Sequence, residues 1–275
     1  MDATLPIIAL LLYSAASVVC LARFRTETPA EGPWVRWLVR SGAMVHVTSI
    51  AIVGWVNEEW PLTGLSDALG AFALLVVLNF LLLGRQRPKL LSLGVVLLPL
   101  ASGLLCTSML VPSSPVKALS GVTDPLLFPL HTALTFLGLT GLAVAFGLGI
   151  VYLSVRRRLK AKRLEGITSL PALEVLDRIH FKFQLGGFIA LTLGILFGAL
   201  WANDRLGADW VTDPKILASL LIWGWYAVAI QSRLAFGWRG RAGVLFSVVG
   251  FVGVVASLVG VTLLFSGWHG VGGLG

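Results

Sequence analysis

The sequence predicts an all-α, polytopic membrane protein with about eight transmembrane helices and both termini outside. Three observations carry that prediction. Of 275 residues, 57% are hydrophobic and 12% are charged, and the mean hydropathy is +0.90. A soluble domain carries about 25% charged residues, roughly twice as many. The apolar residues gather into eight runs, each close to the roughly 20 residues that cross a hydrocarbon core about 30 Å thick. The basic residues alternate from loop to loop.

In chain order the runs are Leu5–Leu21, Leu38–Trp55, Leu65–Leu83, Leu90–Val111, Leu130–Val155, Phe181–Trp201, Ile216–Ala235 and Val244–Phe265. The first follows Asp2 rather than a basic segment, and its arginines come after it. It is therefore expected to be a retained helix, not a cleaved leader. Loop one, after that run, holds Arg23, Arg25, Arg36 and Arg40. Loop three holds Arg85, Arg87 and Lys89, and loop seven holds Arg233, Arg239 and Arg241. Loop five is the most basic, with Arg156, Arg157, Arg158, Lys160, Lys162, Arg163, Arg178 and Lys182. Together the odd loops carry 18 of the 21 basic residues, leaving Lys117, Arg205 and Lys215 for the even ones. By the positive-inside rule the odd loops are cytoplasmic. An odd number of helices would destroy this alternation.

The net charge of +8 is thus an orientation signal, and no nucleic-acid partner is expected. The partner it implies first is membrane lipid. Loop five reads either as a solvated cytoplasmic face or as a docking surface for a soluble protein. Cys20 and Cys106 both lie in apolar runs and form no CxxC pair, which points to packing rather than thiol chemistry. No repeat interrupts the chain, so residues 1–275 are expected to form a single membrane domain in a multi-pass protein.

Topology assigns each of the four histidines a depth. His46 follows Arg40 by six residues on an outward-running helix, roughly 9 Å inside the cytoplasmic boundary. His180 sits at the cytoplasmic start of the sixth run, between Arg178 and Lys182. His131 opens the fifth run after Pro129, and His269 follows Trp268 beyond the eighth, both on the outside. Neutral imidazole is a common axial ligand of heme iron, and two facing histidines make a six-coordinate site. Ionisable groups inside a membrane tend to be functional. The structural alternatives are an interfacial His180 and a hydrogen-bonded packing His46.

The outer loop from Gly198 to Lys215 mixes Trp201 and Trp210 with Asn203, Asp204, Asp209 and Asp213. Tryptophan at a membrane surface is ordinarily a belt anchor, which suffices for Trp55, Trp60, Trp223 and Trp225. Gly207 and Asp213-Pro214 add turn signals to the same short segment. Such a loop can lie against a flat macrocycle held between His131 and His269. No paired carboxylates, nucleophile elbow or phosphate loop occurs in the membrane segments. The chain on its own is therefore not expected to be an enzyme, and its chemistry is transfer or presentation.

In this loop the sequence resembles the cytochrome c assembly protein family, the heme-handling membrane proteins of cytochrome c maturation. The family's tryptophan-rich motif runs Trp-Ala-Asn, then Trp-Gly-x-x-Trp-x-Trp-Asp-Pro-Lys. Trp201-Ala202-Asn203, Gly207, Trp210 and Asp213-Pro214-Lys215 follow it in order and spacing, while Leu206 and Thr212 stand at two of its tryptophans. Leu130-His131-Thr132-Ala133-Leu134 resembles the segment bearing the family's external histidine before the motif, and Gly267-Trp268-His269-Gly270 resembles its closing segment. The resemblance covers approximately residues 126–270. The first half is more similar to the HemX-type branch of small eight-helix members. The histidine in the second run, His180 with Phe183 and Gln184, and Gly237-Trp238-Arg239-Gly240-Arg241 carry that likeness.

The resemblance implies a heme-binding protein of cytochrome c biogenesis in the cell's inner (plasma) membrane. It would hold or translocate non-covalent b-type heme and present it at the outer face. His131, His269, His46 and His180 would ligate the iron, with Trp201, Trp210 and Asp213 lining the site. Implied partners are another cytochrome c maturation subunit or apocytochrome c. Gln231-Ser232-Arg233 stands where synthases end the seventh helix with His-Thr-Arg, so full synthase chemistry is not implied. The alternative is a HemX-type membrane regulator or interaction protein of tetrapyrrole synthesis, acting through loop five without heme transfer.

Overall fold

The computed structural model describes residues 4–26, 33–57, 65–111, 127–163, 165–206 and 214–258. Among them are eight α-helices: α1 (Thr4–Arg25), α2 (Pro33–Asn57), α3 (Leu65–Gln86), α4 (Gly94–Leu110), α5 (Leu127–Lys160), α6 (Leu173–Leu206), α7 (Pro214–Phe236) and α8 (Arg241–Ala256). The described residues hold no strand. Each helix contains or overlaps one of the eight apolar runs. The first six are long and apolar enough to cross a membrane, α4 together with the 3-10 turn Pro88–Leu93 that leads into it. α7 has the length, but Trp223, Trp225, Tyr226 and Gln231 lower its hydropathy. α8 is apolar and 16 residues long within the described part, so the run's expected continuation to Phe265 lies largely outside it. Helices satisfy their own backbone groups, which is why hydrocarbon selects them. Large side chains face outward as lipid-facing ones would, including Trp34, Met44, Trp55, Leu110 and Leu221. The molecule is a polytopic membrane protein.

The chain forms two compact units, Met1–Ser120 with Ile150–Leu176, and Gly121–Gly149 with Asp177–Gly275. The divisions fall inside α5 and close to the start of α6, so α5 contributes to both. In the first unit α1 packs on α2 and α4, and α3 packs on α2 and α4. Its interior is built from Tyr13, Phe72, Phe80, Leu97, Leu98 and Leu105, all almost fully buried. Gly94 makes the α4 contact close. A Cβ there would lie 2.6 Å from the Cys20 sulfur and 3.2 Å from the Phe80 ring. Buried Cys20 thus acts as a packing residue, while Cys106 is exposed and both are free thiols.

In the second unit α5 and α6 approach backbone to backbone. A Cβ on Gly141 would sit 2.8 Å from the Gly187 Cα, and one on Gly138 would sit 2.7 Å from the Leu191 nitrogen. Small residues let membrane helices make such contacts, because dispersion and not hydrophobicity holds them together in lipid. α7 joins through Trp223, which stacks on Phe188 and donates Nε1–H to Thr192 Oγ1 at 2.9 Å. α8 joins through Phe251 stacked on Phe146 and through Tyr226, whose hydroxyl donates to the Ser247 carbonyl at 3.1 Å.

Candidate functional site

His131 lies in the first turns of α5 and points at α6. Its Nδ1 is 2.7 Å from the Gly194 carbonyl oxygen. A carbonyl only accepts, so Nδ1 carries a proton, and in the neutral ring Nε2 then holds the lone pair a metal would use. Gly198, one turn beyond Gly194, makes room for the ring. A Cβ there would collide with Nδ1 and lie 2.6 Å from Cε1. At this same end of the helix pair, Trp201 is buried and meets the Phe128 ring at a tilt of 54°, with ring centroids 5.5 Å apart. The structure therefore brings His131 and Trp201 to one end of the α5–α6 pair. His269, Trp210 and Asp213 lie outside the described residues, as do Gly207 and Thr212.

His180 and Gln184 occupy consecutive turns of α6 in the second unit. His180 is fully buried, and neither ring nitrogen has a hydrogen-bond partner. Gln184 is 2% exposed with its amide nitrogen unpartnered, and Ser247 on α8 is 0% exposed with its hydroxyl unpartnered. Leaving such a group buried and unpaired costs about 1–3 kcal/mol. Histidine with both nitrogens idle suits a group that supplies a bond at one of them, and heme iron is such a group. One turn toward the N-terminal end of α6, Asp177 takes both guanidinium nitrogens of Arg233, at 3.0 and 2.8 Å, and also accepts the Gly240 N–H at 3.1 Å. Gly237 and Gly240 have φ of +66° and +65°, which only glycine adopts without strain. Arg233 also lies over the Phe181 ring, 4.2 Å from its centroid. Gln231, by contrast, is exposed on α7, and its neighbour Ser232 bonds back to the Val228 carbonyl.

His46 belongs to the first unit and is 2% exposed. The Tyr13 hydroxyl on α1 lies 3.4 Å from its Nδ1, and the two rings are tilted at 57°. Its Nε2 lies near Gly70 on α3 and Ser108 on α4. A Cβ on Gly70 would be 3.8 Å from both His46 Nε2 and Ser108 Oγ. Among the described residues no three His, Cys, Asp or Glu side chains converge on a common point. A porphyrin supplies four ligands of its own, so one or two histidines complete such a centre, and the donor set fits it.

Sequence reasoning missed Tyr13, Asp177, Gly194 and Gly198. Tyr13, Gly194 and Gly198 act on a histidine from far along the chain, and Asp177, one turn before His180, takes its partners from Arg233 and Gly240 more than 50 residues on. The one signal was the His180-x-x-x-Gln184 spacing, which places two polar side chains on one face of an apolar helix.

The pattern of the family described as Cytochrome C assembly protein matches residues 62–269. That stretch takes in α3 to α8 and every candidate residue except His46. The Cytochrome c biogenesis protein CcsA of Synechococcus sp. (strain CC9902) is 26% identical over 263 residues, covering 86% of this chain and 86% of that protein. Its counterpart in Parasynechococcus marenigrum (strain WH8102) is 25% identical over 277 residues, 92% of this chain and 90% of that one. A third, in Synechococcus sp. (strain CC9605), is 41% identical over 99 residues, 36% of this chain and 33% of that one. With well over half of its length matched, and with His131 and Trp201 set together on paired helices, the chain belongs to the cytochrome c assembly protein family.

Proposed function

We propose that the protein handles heme for cytochrome c biogenesis, holding or translocating non-covalent b-type heme and presenting it at the outer face of the plasma membrane. The observation that carries this reading is the His131–Gly194 contact, which fixes the tautomer a metal ligand needs beside a buried Trp201. The names of the CcsA relatives support it. His131 and His269 take the outer position, with Trp201, Trp210 and Asp213 around it. His46 and His180 take the cytoplasmic positions. When bound, heme supplies the iron and the vinyl groups that cytochrome c maturation uses. The chain's part is to hold, orient and shield. The Gly194 carbonyl orients the His131 imidazole and, in the neutral ring, leaves the lone pair on Nε2. Residues 1–275 work as one membrane domain in this reading. Apocytochrome c or another maturation subunit receives the cargo.

The HemX-type reading, a regulator of tetrapyrrole synthesis, rests on the resemblance of the first half and on the exposed Arg157, Lys160, Lys162 and Arg163 in loop five. The two separate by heme content. Purified wild-type protein is expected to retain heme, and His131→Ala and His269→Ala are expected to lose most of the outer share. Full retention in both variants contradicts an outer histidine site.

A further inference from the structure

The first unit places a tyrosine, a histidine, a glycine and a serine from four different helices around one imidazole. His46 Nδ1 faces the Tyr13 hydroxyl at 3.4 Å, and His46 Nε2 faces a spot framed by Gly70 and Ser108. Tyr13 is fully buried. Its ring rests on α2 at Gly42, where a Cβ would be 2.8 Å from its Cε1. The ring is therefore packed closely from the α2 side, beside His46.

From this arrangement we infer that Tyr13 and Gly70 are positioning residues for metal ligation by His46, one holding Nδ1 and the other keeping Nε2 open. The inference rests on the reading of His46 as an iron ligand. A neutral imidazole that binds a metal through Nε2 carries its proton on Nδ1, and the Tyr13 oxygen is the acceptor within reach. Such a contact fixes ring orientation and raises the basicity of the ligating nitrogen. Gly70 acts by the absence of a side chain. An alanine there meets its nearest neighbours at 3.8 Å, ordinary van der Waals contact, so the apoprotein accommodates it without rearrangement. The added methyl nevertheless stands in the approach to Nε2. Packing alone does not demand glycine at this position, since alanine fits and is the better helix former.

The test uses the full-length protein in detergent, in a His131→Ala background that removes the outer site, titrated with hemin. Affinity is read from the Soret band, and the midpoint potential from a redox titration. His46→Ala is expected to lose the six-coordinate signature and most of the remaining hemin affinity. Tyr13→Phe is expected to weaken hemin binding about tenfold and to shift the midpoint upward, because a less basic imidazole favours ferric iron less. Gly70→Ala is expected to lose the ligation signature while the apoprotein keeps the wild-type thermal midpoint. If His46→Ala loses hemin but Tyr13→Phe and Gly70→Ala match the background in affinity and potential, the positioning roles are wrong and the ligand reading stands. If His46→Ala binds hemin as well as its parent, the ligand reading fails and takes this inference with it. A Gly70→Ala apoprotein that melts early reduces Gly70 to a packing residue and overturns its role.

Discussion

Asp177 shows how one carboxylate gathers three elements. It binds Arg233 through both oxygens and accepts the Gly240 N–H, while the two side chains are only 17% and 11% exposed. An exposed pair contributes under about 1 kcal/mol, whereas removing one partner of a desolvated pair costs about 3–5 kcal/mol. Asp177→Asn keeps the shape but leaves Arg233 without its counter-charge. It is expected to destabilise the protein by about 2–3 kcal/mol, between those limits, read as a lower thermal midpoint in detergent. Arg233→Gln should fall by a similar amount, and the double variant should cost less than the two singles summed. Gln231 makes the contrast. It is exposed on α7, so Gln231→Ala is expected to leave both heme content and midpoint within error of wild type. A heme loss in that variant would restore the helix-seven position as a ligand site. The helix that carries each of His46, His131 and His180 was legible from the apolar runs alone. Their neighbours were not. Tyr13 is 33 residues from His46 and Gly194 is 63 from His131, and spacing along a chain carries no record of which helices pair.

At the scale of the element, glycine positions decide which helix faces meet. Gly141 and Gly187 sit where α5 and α6 nearly touch, and a Cβ on Gly141 would lie 2.8 Å from the Gly187 Cα. Backbone cannot rotate aside as a side chain can, so the helices must separate. Gly141→Ala is expected to destabilise by about 1–3 kcal/mol, the usual range for overpacking. Gly186, next to Gly187, has nothing within 4 Å of a Cβ. Gly186→Ala is expected to be neutral or stabilising by up to about 1 kcal/mol, through helix propensity. Paired melts of these adjacent variants check the crossing, and equal midpoints would contradict it. The helices themselves were readable as apolar runs, but their ends were not. α6 starts at Leu173, eight residues before the run at Phe181, and α5 continues to Lys160, past Val155. Hydropathy reports the part of a helix that suits hydrocarbon, and both helices extend with charged turns beyond it. The 3-10 turn at Pro88 was also merged into the fourth run, because Leu90, Leu91 and Leu93 are buried as deeply as the helix that follows.

For the whole molecule, the proposal joins the family membership to an orientation expected from the alternation of basic loops. The orientation has its own check. A phosphatase reporter that folds only outside the cytoplasm is expected to be active when fused after Val111 and inactive when fused after Lys162. The reverse pattern would invert the protein and put His131 and Trp201 on the cytoplasmic side. The central claim is that this chain binds heme through histidine. The most direct measurement is the oxidised and reduced absorption spectrum of the wild-type protein, purified from membranes and then supplied with hemin, beside a variant with His46, His131, His180 and His269 all replaced by alanine. The account predicts a b-type spectrum of histidine-ligated iron in the wild type, extractable because the heme is not covalently attached, and its loss in the variant. A wild-type protein that holds no heme even with hemin in excess, or a variant with an unchanged spectrum, would contradict it.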